Sequence, residues 1–402
     1  MYDICFMRIR LIKLFSLGII LFLFSNESWA QRLNCSIALG EVSTDSLVFH
    51  MKQLIGKNSV YVNGLEQKIN SRYAFHSGNP IAAAFLSQKC TSYGFDVRNL
   101  DYSGSGRNVI AEKKGSLFPT KSIMLCAHYD CVGGTNSNFQ GADDNASGCA
   151  ALIEAARVLK DIDFPYTIQL AFWDEEEAGL LGSKAFPSSG GGLPEIITVV
   201  NLDMIGWDGN NDSIAMLHVS PNLPKSIEFA NRMHYMIGKH KLPLKSIIKN
   251  PGEPNTDHQS FWIKEVPAIG LTEDYDNDLS PHWHKFSDSI DNIHIPYFVN
   301  MSKLAIMTLC EFAQEGINAI NDDIKPLELN FFPNPAQQQF CIENLENGKE
   351  ILILNSLGQT MLQIELSNGK TNCFEAPKIS GIYFVKIIDL NQRVYLKKLV
   401  VE

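Results

Sequence analysis

Asp174, Glu175, Glu176 and Glu177 stand in a row at the end of the apolar run "YTIQLAFW". Adjacent carboxylates repel one another, and a strand end beside a core desolvates them. Either water stabilises that charge at an exposed turn or a bound cation does. Similar groups recur along the chain. "SIMLCAHYD" ends in His128 and Asp130, and "GADDNASG" carries Asp143 and Asp144 directly before a helical pattern. "TVVNLDM" sets Asp203 in apolar surroundings, where a carboxylate is costly unless paired or metal-bound. Later come Asp257 and His258 in "TDHQSFW", then His282, His284 and Asp288 in "SPHWHKFSD".

Taken singly, each has an ordinary explanation: a buried histidine, a capping turn, a solvated acidic run. Taken together, they offer imidazole and carboxylate donors without thiolate, and no CxxC occurs. That donor set suits zinc in an open catalytic site. Two histidines and three carboxylates can hold two zinc ions that share one carboxylate. Such ions, about 3.5 Å apart, polarise a carbonyl and activate water, and a second glutamate remains to act as base. In "EEE", then, one carboxylate binds metal and its neighbour handles the proton.

The elements that must position these groups alternate. "SIMLCAHYD", "YTIQLAFW", "EIITVVNLDMIGW" and "VPAIGLTE" read as buried strands, and "RNVIAEKKG" as a further strand. "TDSLVFHMKQLIG" reads as a lead-in helix within 31–60. "NPIAAAFLSQKCTSYG", "NASGCAALIEAARVLKDI", "SIEFANRMHYMIGKH" and "PYFVNMSKLAIMTLCEFAQEG" read as helices, the second capped by Asn145 or Asp144. The expected architecture is a three-layer α/β/α sandwich with a mostly parallel central sheet. Sites in such sheets gather at the carboxyl ends of the strands, where these side chains fall. Walls of the pocket are expected in loops 205–217 and 245–256.

After about residue 322 the helical patterns stop. Short alternating strands follow, split by "ENGK", "SLGQ", "SNGK" and "SG". This reads as a separate small all-β sandwich over 323–402. Arg8, Arg10 and Lys13, the apolar run Leu14–Phe24 and "SWA" read as a cleaved signal peptide over 1–30, with Met1 or Met7 as its start. The run is too short to span a bilayer comfortably, so no membrane span is expected in the mature, exported protein. The net charge of −10 and the lack of a basic stripe exclude a nucleic-acid partner. Nine cysteines, one of them in the leader, form no dense disulfide framework. Cys341 and Cys373 could pair within the β-module.

The order "AHYD … GADDNASG … WDEEEAGLLGS … NLDMIG … PHWHKFSD" resembles the M28 family of co-catalytic zinc aminopeptidases, over residues from about 50 to 318. The resemblance implies a phosphorylase/hydrolase-like fold, two Zn2+ ions and peptide substrates with free N-termini. It matches His128 and Asp203 to ligands of one zinc, Glu177 and His284 to ligands of the other, and Asp144 to the carboxylate between them. Glu176 matches the general base of a metal-activated water, and Asp130 would orient His128. Glu175 and Asp143 are the alternatives one position away. Trp283 stands where many relatives have the tyrosine that precedes the last histidine. Asp257 and His258 match a family segment near the pocket. Asp274, Asp276 and Asp278 form a DxDxD loop, read as solvated rather than as a calcium loop, which would need a glycine and a terminal Glu.

The last module, with "FFPNPA", "ILNSLGQTM", "SGIYFVKI" and "KKLVVE", resembles the C-terminal sorting domain of the type IX secretion pathway. It implies the secretion machinery as a partner, passage through the periplasm, and a secreted or cell-surface destination. A carbohydrate-binding or generic Ig-like sandwich is the other reading of this module, without a cluster of exposed aromatics to favour sugar binding. Alternatives for the first domain are a single-zinc glutaminyl cyclase, a carboxypeptidase, and a non-catalytic peptidase-like binding protein.

Overall fold

The most apolar segments of the chain form the centre of its sheet. The computed structural model describes residues 35–102, 106–136, 138–186, 193–314, 331–343, 348–355, 360–365, 371–389 and 394–402. The expected leader 1–30 and the expected boundary near 322 lie outside them. The chain divides into two compact units, Met1–Gly316 and Ile317–Glu402.

In the first unit, β1 (Val60–Val62) and β2 (Leu65–Gln67) make a small hairpin. Eight further strands follow: β3 (Asp96–Asp101), β4 (Arg107–Lys113), β5 (Phe118–His128), β6 (Tyr166–Trp173), β7 (Glu195–Leu202), β8 (Ile214–His218), β9 (Lys245–Lys249) and β10 (Ala268–Thr272). They form one sheet in the order β3-β4-β6-β5-β7-β10-β8-β9. The centre, β6-β5-β7-β10, is parallel, as is β8 with β9. β4 runs antiparallel to both its neighbours, β3 and β6, and β10 meets β8 antiparallel. The mixed character has a plain cause on the β4 side. The links from β3 to β4 and from β4 to β5 are too short to carry a crossover, so those strands reverse direction.

Every residue of β6 is buried, as a strand covered on both faces requires. On one face Met124, Cys126, Ala171 and Val199 pack with Trp173, Phe186 and Phe261. Phe186 and Phe261 come from beside and within the short helices Leu181–Ala185 and His258–Trp262, which sequence patterning did not reveal. The helices Gly148–Leu159 and Ile295–Gln314 also pack on β5. Asn145, one of the two expected caps, holds the first of these, its Oδ1 accepting from Gly148 N at 3.0 Å. The lead-in helix is broken. A helical stretch over 35–41 is followed by Thr44–Leu54, with Ser43 capping the second.

Cys35 is bonded to Cys310, a separation of 275 residues. The bond ties the first described helix to the last helix of the unit. Removing a native disulfide costs about 2–5 kcal/mol. Cys310→Ser is therefore expected to lower the melting temperature of the first unit by at least about 4 °C, measured by calorimetry. An unchanged melting point would show that the bond does not constrain the unfolded chain.

The second unit is all-β, with strands β11 (Phe331–Phe332), β12 (Gln339–Glu343), β13 (Gly348–Leu354), β14 (Thr360–Glu365), β15 (Thr371–Glu375), β16 (Gly381–Asp389) and β17 (Val394–Val401). They form antiparallel sheets β11-β12-β15 and β14-β13-β16-β17. Phe340, Ile351, Ile353, Val385, Ile387 and Leu399 contribute to the core. Cys341 and Cys373 face each other across β12 and β15 and are bonded. No helix among the described residues is long and apolar enough to cross a membrane.

Candidate metal centre

Because β6, β5, β7 and β10 run parallel, their carboxyl ends open on one edge. β5 ends in His128, β6 leads into the Asp174–Glu177 run, and β7 leads into Asp203. The turn Ala142–Ser147 brings in Asp144, and the loop after β10 brings in His284. His128 Nε2 lies 3.2 Å from Asp144 Oδ1 and 3.3 Å from Asp203 Oδ1. His284 Nε2 lies 3.3 Å from Asp144 Oδ2 and 3.1 Å from Glu177 Oε2. Asp144 thus turns one oxygen to each histidine. Donor atoms of His128, Asp144 and Glu177 all fall within 4.8 Å of one another. Glu176 lines the same cavity of about 510 Å3.

The charge balance here favours a cation. Four carboxylates converge on two imidazoles in a largely buried space. Burial opposes the charged form of His128, yet Glu176, Asp203, Asp130 and Asp144 outweigh it and hold its pKa well above the usual value. Hydrogen bonds to Asp144 and Glu177 raise His284 to about 10. Burial pushes Glu177 up to about 7, reinforced by Asp144, and lifts Glu176 and Asp203. Burial pushes Asp144 the same way, but both histidines outweigh it and leave its pKa depressed. Glu177 Oε1 is buried without a hydrogen-bond partner. Convergent imidazole and carboxylate donors, excess acid and an unsatisfied buried oxygen fit a divalent metal.

Other residues hold these donors in place. Asp130 Oδ1 lies 3.4 Å from His128 Nδ1 and accepts from Glu176 N at 3.0 Å, while Oδ2 accepts from Glu177 N at 3.3 Å. One carboxylate therefore aligns a histidine and two glutamates. Asn145 Nδ2 donates to Leu202 O at 2.7 Å, tying the Asp144 turn to the strand that leads into Asp203. Asp288, four residues beyond His284, accepts from Asp143 N at 2.8 Å and from Asp144 N at 3.1 Å. Its loop thus supplies a donor and grips the backbone of Asp144. Asp288→Asn keeps the size but can accept at only one of these N–H groups. Metal affinity is expected to fall roughly 10–100-fold, read by competition with a chelator. Unaltered affinity would mean the grip is redundant.

The neighbouring candidates face elsewhere. Asp143 Oδ1 accepts from Gly206 N at 2.8 Å, and Glu175 is buried beside Gly106. Asp174 is held by Asn79 Nδ2 at 2.8 Å and Arg107 N at 3.1 Å. The four-carboxylate run is therefore split, with two groups in the framework and two in the cavity. Asp257 is fully buried, and burial raises it to about 7. His258 supports a loop and does not line the cavity. His282 pairs with Ser287 Oγ at 2.9 Å. The DxDxD loop does not converge: Asp274 caps its own turn, Asp276 meets Lys249, and Asp278 accepts from Trp207 Nε1 at 3.2 Å. Of the two loops expected as walls, 245–256 contributes Glu253, Asn255 and Thr256, whereas 205–217 contributes none of the lining residues. Trp207 turns toward Asp278 and His282 instead. Tyr275, which sequence reasoning passed over inside that acidic loop, lines the cavity and donates to Asp203 O at 3.1 Å.

Residues 108–309, half of the chain, match the model of peptidase family M28. Residues 330–402 match that of the secretion system C-terminal sorting domain. The chain is 27% identical over 252 residues to leucine aminopeptidase 1 of Arthroderma gypseum, covering 58% of this chain and 65% of that protein. It thus spans less than two thirds of that relative's length. Its fold is similar to the LapA aminopeptidase of Legionella pneumophila, with a TM-score of 0.58 at 23% identity, covering 71% of this chain and 75% of the other. It is also similar to the glutaminyl cyclase of Porphyromonas gingivalis, with a TM-score of 0.54 at 20% identity, covering 67% of this chain and 99% of the other. The extent of the M28 match, over the same strand ends that gather the acids and histidines, shows that the chain belongs to peptidase family M28.

Proposed function

We propose that this chain is a secreted aminopeptidase that holds two zinc ions and removes the N-terminal residue of peptides. One observation carries the reading: Asp144 turns its two oxygens to two separate donor sets. His128 and Asp203 would hold one ion, Glu177 and His284 the other, with Asp144 between. Zinc bound there polarises a peptide carbonyl and acidifies water. Glu176, at the cavity wall, takes a proton on its carboxylate from the attacking water and returns it to the leaving amine. Asp130 keeps His128 and the backbone of Glu176 aligned. The acid-lined cavity favours the substrate's free α-ammonium, which restricts cleavage to the first residue.

In this reading residues 1–30 are the leader, 31–322 the peptidase domain and 323–402 the sorting domain. The sorting domain engages the type IX machinery and carries the enzyme from the periplasm to the surface or the medium. The test is mass spectrometry of free, acetylated and Gln-initiated peptides incubated with the zinc-loaded protein, with Glu176→Gln as control. Stepwise loss from free N-termini alone supports the proposal. Ammonia loss from Gln peptides without cleavage would make the chain a cyclase, and no reaction with zinc bound would leave a binding protein.

Metal uptake should also release protons. With His284 raised to about 10 and Glu177 to about 7, His284 is protonated and Glu177 partly so in metal-free protein at neutral pH. Calorimetric zinc titrations in buffers of different ionisation enthalpy should report release of at least about one proton per protein. Equal heats in all buffers would contradict this donor set.

A further inference from the structure

We propose that Glu253 is a specificity-determining residue that selects peptides with a cationic side chain beside the scissile bond, an inference that rests on the aminopeptidase reading above. Apart from the groups of the metal centre, the charged residues lining the cavity are Glu253 and Lys184. Lys184 directs its ammonium to Gly179 O at 2.9 Å. Glu253 Oε1 accepts only a neutral donor, Asn255 Nδ2, at 2.7 Å. Among the described residues no cation pairs with it. A substrate therefore meets an uncompensated carboxylate on this wall.

The backbone of Glu253 is fixed on both sides. Its N–H donates to His218 Nδ1 at 3.0 Å, and its carbonyl accepts from His258 Nε2 at 2.7 Å. The two rings are buried and stacked, with centroids 5.9 Å apart and planes 19° apart. Their other nitrogens meet threonine hydroxyls, His218 Nε2 with Thr272 Oγ1 at 2.9 Å and His258 Nδ1 with Thr256 Oγ1 at 2.6 Å. Burial lowers the two pKa values to about 4 and about 3, so both rings stay neutral and keep one donor and one acceptor each. Two buried histidines thus hold the peptide units on either side of one residue in an otherwise exposed loop. A carboxylate carried on a wall fixed this way needs little ordering when substrate arrives. A Lys or Arg side chain gains a charge-assisted hydrogen bond there, and an acidic one is repelled.

The test compares kcat/KM for Leu-Leu, Lys-Leu, Leu-Lys and Glu-Leu amides with the zinc-loaded full chain. At least one Lys peptide should exceed Leu-Leu by roughly tenfold. Glu253→Gln should bring that ratio close to one, with Leu-Leu changed by no more than about twofold. Glu253→Lys should move the preference to Glu-Leu. Ratios that stay constant in both variants would overturn the proposal. So would an equal fall for all four peptides, since the carboxylate would then be meeting the α-ammonium they share. No hydrolysis of any peptide by the parent chain would overturn the aminopeptidase reading itself, and this inference with it.

Discussion

Glu176→Gln is expected to lower kcat for N-terminal hydrolysis roughly 10²–10⁴-fold, with zinc content and melting temperature unchanged. Gln matches Glu in size, so the cavity wall keeps its shape. What is lost is a carboxylate that can hold a proton between water and leaving amine. Glu176 is suited to that exchange by its surroundings. Burial raises its pKa, His128 opposes this, and Asp257, Asp203 and Glu177 raise it further. Its backbone N–H is fixed by Asp130 at 3.0 Å, so the carboxylate leaves the framework from a rigid point. Glu177→Gln should behave differently, since Glu177 reaches His284 at 3.1 Å within a donor set. It should lose metal first and activity with it. Metal analysis beside kinetics separates the two. If Glu176→Gln lost zinc while Glu177→Gln kept it, the assignment of base and ligand would have to be exchanged.

The donors could be proposed from sequence because the chemistry restricts residue type. Histidine and carboxylates remain once CxxC pairs are missing. His128, Glu177 and Asp203 lie at or just past the ends of apolar strand runs, whereas Asp144 and His284 sit in loops and are matched only through the family resemblance. The central strands were legible for the same reason, since a strand covered on both faces must be apolar throughout. The supports were not legible. Asp288 acts on backbone N–H groups 144 and 145 residues away, which leaves no pattern in its neighbours. β8 and β9 are five residues each, and β9 has no buried position. Cys35 and Cys310 are brought together only by the completed fold. Tyr275 lies within three aspartates whose charge drew attention from it. His258 reads as a residue near the pocket and His218 carries no signal, yet together they hold a wall. Side chains that act on distant backbone are invisible to periodicity and to motif spacing alike.

Arg72 is the strongest case, and its replacement by Met is expected to be among the most destabilising single changes in the first unit. The side chain has no exposed surface. Nε donates to Tyr129 O at 2.6 Å, Nη1 to Leu54 O at 3.0 Å and Gln140 O at 2.7 Å, and Nη2 to Gly141 O at 2.7 Å. A planar fork with five donors is the one side chain that can reach four carbonyls in different directions from one point. Met fills comparable volume but leaves the carbonyls of Tyr129, Leu54 and Gln140 without this donor, while Gly141 O keeps Ala146 N at 3.1 Å. At about 1–3 kcal/mol for each unsatisfied group, the loss is at least about 3 kcal/mol. The melting temperature should fall by about 6 °C or more. The effect should reach the metal centre as well. Tyr129 lies between His128 and Asp130, and Gln140 and Gly141 lead into the turn that carries Asp144. Gly141 itself sits at φ +56, where an added Cβ would come within 2.4 Å of Asp144 O. Arg72 therefore fixes both chain segments that meet at the shared carboxylate. Arg72→Lys, with a single ammonium, cannot span the four acceptors and should recover little of the loss. A Met variant that melts within about 2 °C of the parent and binds zinc as tightly would show that water or neighbouring N–H groups replace the guanidinium, and that the two segments hold their positions without it.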